Sequence, residues 1–206
     1  GIDAELYDGV ALRHWNDDLV REAIASFKPD IIILETSTPL YRKIMKISQW
    51  AKEELACRIV LVGPHIHSYA TEIIREPFID HCVVGEYELP TLDIVTREDK
   101  AKDIYSYEFL DNIDTLNGDN FIPYRQPELL YEYWEGTMYT PRVQLQVNTS
   151  RGCPFKCTYC QWPKVMNNGR YRARSSEMVI DEIKTVMADY KVYLAELKNV
   201  MRDAMN

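Results

Sequence analysis

No run of about 18 apolar residues occurs in the 206-residue sequence, so nothing in it reads as a membrane span. It opens on Gly1-Ile-Asp-Ala-Glu5, without an initiator Met and without a basic-then-apolar signal stretch, and reads as an interior piece of a longer chain. Internal repeats and low-complexity tracts are absent. Histidine is scarce, four in all, and none follows Cys160. Cysteine is odd in number at five, which excludes a fully paired disulfide framework and, with no secretion signal, points to a reducing compartment, the cytoplasm.

Acidic residues are missing from one place. From Ser150 to Arg174 there are Arg151, Lys156, Lys164, Arg170, Arg172 and Arg174 and no Asp or Glu, although the whole chain carries a net charge of -8. Residues 1–100 sum to -7 (18 acidic, 11 basic), 101–140 to -6 (8 and 2) and 141–206 to +5 (6 and 11). The basic stretch reads as a positive field suited to an anionic group. A solvated face is the simpler reading, and the acidic remainder argues against general nucleic-acid binding.

The first hundred residues alternate strand and helix patterns. Ala4–Tyr7 is a short strand candidate, Leu19–Phe27 has helical spacing, and Ile31–Leu34 is an apolar run of the kind found in buried parallel strands. Pro39–Leu55 reads as a helix, Arg58–Val62 as a strand, Glu72–Arg75 as a short helical piece, His81–Val84 as a strand and Leu89–Thr96 as a helix. This rhythm predicts a doubly wound, Rossmann-like α/β sheet over residues 1–99. Its ligand edge lies beyond the carboxyl ends of the strands, which places Thr36, Ser37, Gly63, Pro64, His65, Gly85 and Glu86 there. A tight turn after each strand explains the glycines equally well. Cys57 and Cys82 sit beside and within apolar strands and read as small buried hydrophobes.

Residues 100–141 break the rhythm. Acidic, tyrosine-rich and interrupted by Pro123, Pro127 and Pro141, they read as a linker packed by Tyr124, Tyr131, Tyr133 and Trp134. Strand alternation resumes over Val143–Thr149, and residues 142–206 form a second unit. Ser175 or Ser176 caps a helix there, with Met178, Val179, Ile183 and Val186 on its apolar side. Val192–Asn206 is helical in pattern.

Between strand and helix stand Cys153, Cys157 and Cys160, in a loop shaped by Gly152 and Pro154. A structural zinc site wants four ligands, and the loop supplies three. Cys157-Thr-Tyr-Cys160 invites a redox reading, which leaves Cys153 over. An iron–sulfur cluster fits best: three thiolates hold three irons of a cubane and leave the fourth open.

The phrase Thr149-Ser-Arg-Gly-Cys-Pro, the C-x-x-x-C-x-x-C spacing with Tyr159 before its last cysteine, and Tyr171-Arg-Ala-Arg-Ser-Ser-Glu177 with Asp181-Glu-Ile183 resemble the radical S-adenosylmethionine (SAM) superfamily. Pro29-Asp-Ile-Ile-Ile, Val62-Gly-Pro-His65 and Val84-Gly-Glu-Tyr-Glu88 resemble the cobalamin-binding domain that precedes this motif in one large subgroup. The resemblance covers nearly the whole chain. It implies a cobalamin-binding-type sheet lacking its first strand, followed by the start of a (β/α) radical SAM partial barrel. It implies a [4Fe–4S] cluster on Cys153, Cys157 and Cys160, SAM chelating the open iron with Tyr159 near its adenine, and cobalamin at the sheet's carboxyl edge. The implied reaction is reductive cleavage of SAM to a 5′-deoxyadenosyl radical, with cobalamin-dependent methyl transfer. A small-molecule substrate and an electron donor such as flavodoxin or ferredoxin complete the picture.

The lower-axial signature Asp-x-His-x-x-Gly does not occur, so cobalamin's lower face is expected to meet side chains other than His65 or His67. The barrel is short, with one strand, the cluster loop and one helix, and the chain alone is expected to be inactive. A radical SAM methylthiotransferase is the enzymatic alternative, needing further cysteines for a second cluster. A non-enzymatic iron–sulfur electron carrier is the other, needing a fourth ligand.

Overall fold

The computed structural model describes residues 2–14, 16–96, 103–106, 109–116, 124–126, 129, 132, 146–160, 162 and 169–189. Four strands, β1 (Ile31–Glu35), β2 (Arg58–Val62), β3 (His81–Val83) and β4 (Asp103–Tyr105), form one parallel sheet in the order β1-β2-β3-β4. Register runs Ile31 with Arg58, Val60 with His81 and His81 with Asp103. The apolar run of β2 has its cause here: Ile59, Val60, Leu61 and Val62 are all buried, because neighbouring strands flank it and packed side chains cover both faces. Each such side chain contributes about 1.5–3 kcal/mol relative to exposure.

Helices α1 (Asp17–Phe27), α2 (Tyr41–Leu55) and α3 (Pro64–Ile73) cover one face, where Ile24, Ala51, Ile66, Ala70 and Ile73 pack on Ile32, Ile59, Leu61 and Cys82. Helix α4 (Glu88–Thr96) covers the other, with Ile94 against Val60, Val62 and Val83. Helices on both faces of a parallel sheet are the arrangement the alternating pattern predicts. Cys57 and Cys82 are core residues, as expected. The Cys57 thiol is pushed up by burial.

Three expectations are corrected. Ala4–Tyr7 is not a strand, and Glu5 and Leu6 are exposed; among the described residues no strand pairs with it, and the Leu6 carbonyl accepts instead from the Gln126 side chain at 3.0 Å. The region after Gly63 is not a loop ending in a short helical piece at Glu72, because α3 begins at Pro64. Proline suits the first helical position, where its missing N–H is not needed. The expected linker contributes structure: Asp103–Tyr105 is β4, and Ile113–Thr115 is a 3-10 turn capped by the Asn112 side chain. Tyr124, expected to pack there, is 70% exposed, and Tyr131, Tyr133 and Trp134 lie outside the described residues.

Further along, β5 (Ser150–Arg151) and β6 (Arg172–Ala173) form a two-stranded antiparallel ribbon, followed by a helix over residues 176–189 (α5). The expected strand Val143–Thr149 is not seen at 146–149, and 143–145 lie outside the described residues, as does Val192–Asn206. The buried side of α5 also differs from expectation. Met178, Val179 and Val186 are half-buried, but Ile183 is 41% exposed and the fully buried residue is Glu182.

Candidate functional site

Ribbon β5–β6 carries the cysteine loop between its strands. At its base Gly152 has φ +85°, and a Cβ there would run into the Arg170 carbonyl, so only glycine lets the two chain segments cross. The three thiols are unpaired: Cys153 and Cys160 are half-buried and Cys157 is exposed. A turn joins the last two, with the Cys160 amide donating to the Cys157 carbonyl at 3.2 Å. Tyr159 is 91% exposed, and Phe155 and Trp162 are exposed beside it. In chemistry this donor set fits an iron–sulfur cluster, with three free thiols on one accessible loop. The loop is open rather than preformed: among the described residues no three Cys, His, Asp or Glu side chains stand close enough to hold a metal ion.

The four arginines of the basic stretch do not form a free positive field. Arg172 is buried in a two-pronged ion pair with Glu86 and also donates to the Leu110 carbonyl at 2.7 Å. Arg151 lies 2.5 Å from Glu88 and 3.7 Å from Glu86. Burial works against its charge, but the hydrogen bond to Glu88 and the charges of Glu88 and Glu86 outweigh it and hold the guanidinium above its ordinary value. Arg170 pairs with Asp111, and Arg174 with Glu182, whose other oxygen takes Arg125 at 2.5 Å. Phe109 lies beneath both Arg170 and Arg172, at 5.3 and 5.1 Å. Sequence reasoning counted these arginines as exposed because their partners are up to 86 residues away.

The other expected site residues lie at the sheet's carboxyl edge, in two groups. Thr36 is fully buried, with its amide donating to the Val62 carbonyl at 2.7 Å, its hydroxyl to Leu34 at 3.2 Å, and its carbonyl accepting from the His65 amide at 3.1 Å. Gly63 has φ +102°, and a Cβ there would meet the Thr36 amide and carbonyl at 3.0 Å. Ser37 is half-buried and precedes a 3-10 turn. Pro64 starts α3. The His65 ring lies between Tyr41 and Tyr69, with centroids at 4.5 and 4.8 Å, and its Nδ1 is 3.0 Å from the Thr38 hydroxyl. Burial holds His65 and His67 below the ordinary histidine range, so both favour the neutral form.

Gly85, at φ +92°, and Glu86 form the second group, beyond β3. Glu86 is turned to the ribbon, so the carboxyl end of β3 and the base of the cysteine loop are directly joined. Between the two glutamates in sequence, the Tyr87 phenol is pushed up to about 12, chiefly by burial and further by Glu35 and Glu88.

The chain is similar to the anaerobic magnesium-protoporphyrin IX monomethyl ester cyclase of Rubrivivax gelatinosus, 30% identical over 86% of this chain and 34% of that protein. It is 27% identical to the ribosomal protein uS12 methylthiotransferase of Clostridium novyi over 89% of this chain and 38% of that one. A cobalamin-dependent radical SAM methyltransferase of Streptomyces tokunonensis, TokK, is 23% identical over 76% of this chain and 25% of its own length. The chain belongs to the radical SAM superfamily. No family model and no solved structure matches it. This radical SAM chain spans about a third of the length of the curated relatives it matches. Among its described residues no helix is long and apolar enough to cross a membrane.

Proposed function

We propose that this chain supplies the cluster-binding and SAM-binding end of a radical SAM enzyme. Cys153, Cys157 and Cys160 would hold a [4Fe–4S] cluster, leaving one iron for the amine and carboxylate of SAM. When bound, the reduced cluster supplies the electron that cleaves SAM to methionine and a 5′-deoxyadenosyl radical. Tyr159, exposed to solvent, would lie against adenine, and Phe155 and Trp162 would add apolar surface that excludes water around the loop. The observation that carries this reading is three free thiols on one accessible loop at the base of a ribbon. Zinc and a second cluster are disfavoured, because Cys57 and Cys82, the remaining cysteines, are sealed in the sheet core.

Cobalamin-dependent methyl transfer to a small molecule in the cytoplasm, with a flavodoxin or ferredoxin as reductant, is the finer reading. The TokK relative supports it, as does the sheet edge joined to the cysteine loop. Methylthiotransfer is the alternative, supported by the Clostridium novyi relative. If cobalamin binds, the half-exposed Tyr69, His65 and Ser37 are the side chains at that edge able to meet it, since Thr36 and Glu86 are already engaged within the fold. Anaerobic reconstitution with iron and sulfide tests the cluster: the chain is expected to take up about four irons and Cys157→Ala to retain none stably. Full retention by Cys157→Ala would sink the proposal. Hydroxocobalamin added before gel filtration is expected to elute with the chain, and its complete separation removes the cobalamin part alone.

A further inference from the structure

A ribbon of two residues per strand cannot hold itself together in water. Here Arg151 and Arg172 are cross-strand partners, two cations side by side, which alone would push the strands apart. Glu86 lies between them, paired to Arg172 through both oxygens and 3.7 Å from Arg151, and Glu88 takes the outer side of Arg151. The carboxylate therefore turns a repulsive pair into a bridged triad. Arg151 is two residues before Cys153, and Arg172 follows the end of the same loop. Both exits of the cysteine loop are thus tied to one side chain of the α/β unit. A buried carboxylate between two guanidinium groups is costly to remove: Arg172 loses its two-pronged carboxylate partner, and Arg151 is left with Glu88 alone.

The geometry points to Glu86 as a positioning residue for the cysteine loop, acting through Arg151 and Arg172 to fix the separation of the loop's two ends. This rests on the reading of that loop as the cluster site. Glu86 touches no cysteine; what it supplies is a loop base already at fixed width when the open thiols close on a cluster. The carboxyl edge of the sheet and the cysteine loop are then one mechanical unit.

Two measurements keep this claim separate from the cluster reading. In the iron-free chain, amide hydrogen exchange at 149–152 and 170–174 is expected to quicken on the order of a hundredfold in Glu86→Gln. Glu86→Asp, which keeps the charge, is expected to retain most of the protection, and the exposed Glu54→Gln to change nothing. Glu88→Gln, which loosens only Arg151, is expected to quicken 149–152 alone and covers the case in which Glu86→Gln does not fold. After reconstitution, the electron paramagnetic resonance (EPR) line of the reduced cluster is expected to broaden in Glu86→Gln and stay sharp in Glu86→Asp. Unchanged exchange in both Glu86→Gln and Glu88→Gln, or quickening spread evenly over the chain, overturns the proposal. A wild-type chain that takes up no iron overturns the cluster reading instead, and leaves the exchange result to stand or fall by itself.

Discussion

A side chain at position 63 would have to enter space already held by the backbone of Thr36 and by the Glu35 side chain, at 3.0–3.1 Å, in a region of φ where L-residues are strained. Neither neighbour can give way cheaply, because the Thr36 amide and carbonyl tie the end of β1 to the end of β2 and to the start of α3. Gly63→Ala should therefore lower stability by about 2 kcal/mol or more, read as a fall in the urea midpoint with an unchanged slope. A neutral substitution would contradict this account of the glycine. From sequence, Gly63 was equally a turn and a ligand contact; packing against Thr36 gives the glycine a reason within the fold itself. Arg172 and Arg174 were read as part of a solvated basic face for a different reason. Charged residues default to the surface, and only the fold shows that each meets an opposite charge at long separation.

Elements were more legible than residues where burial on both faces leaves an unbroken apolar run, as in β1 and β2. They were less so where tertiary contacts alone hold them, as in the three-residue strand β4. Helix α3 could have been found, since Gly63-Pro64 is a signal for a helix start. Its first turn holds His65 and His67, both kept by burial below the ordinary histidine value of about 6.5, and a cation near a helix N-terminus is disfavoured in any case. The sign follows directly. Below about 6.5 the unfolded chain takes up protons that the folded chain refuses. Their contribution is complete above the unfolded value and is lost as pH falls through 6.5 toward the depressed folded values. The melting temperature of wild type should thus fall more steeply between pH 7.5 and 6 than that of a His65→Gln, His67→Gln variant. Parallel curves for the two would contradict this.

At the scale of the molecule, the acidic and basic halves of the charge distribution turn out to face each other. Glu86 and Glu88 hold the ribbon to the sheet, and Asp111 and Asp114 from the presumed linker fasten its other side, Asp114 accepting from the Ser175 amide at 2.9 Å. The charge imbalance along the sequence was visible, but not that it is internal glue. The cysteine loop stood out in the sequence because ligand spacing is local, whereas the open arrangement of its three thiols was not visible there. The central claim is that the open iron of a three-cysteine cluster takes SAM. EPR of the anaerobically reconstituted, reduced chain during a SAM titration tests it most directly. The account predicts a [4Fe–4S] signal whose g-values shift as SAM is added, and no such signal from Cys157→Ala; a signal that SAM leaves unchanged would contradict it.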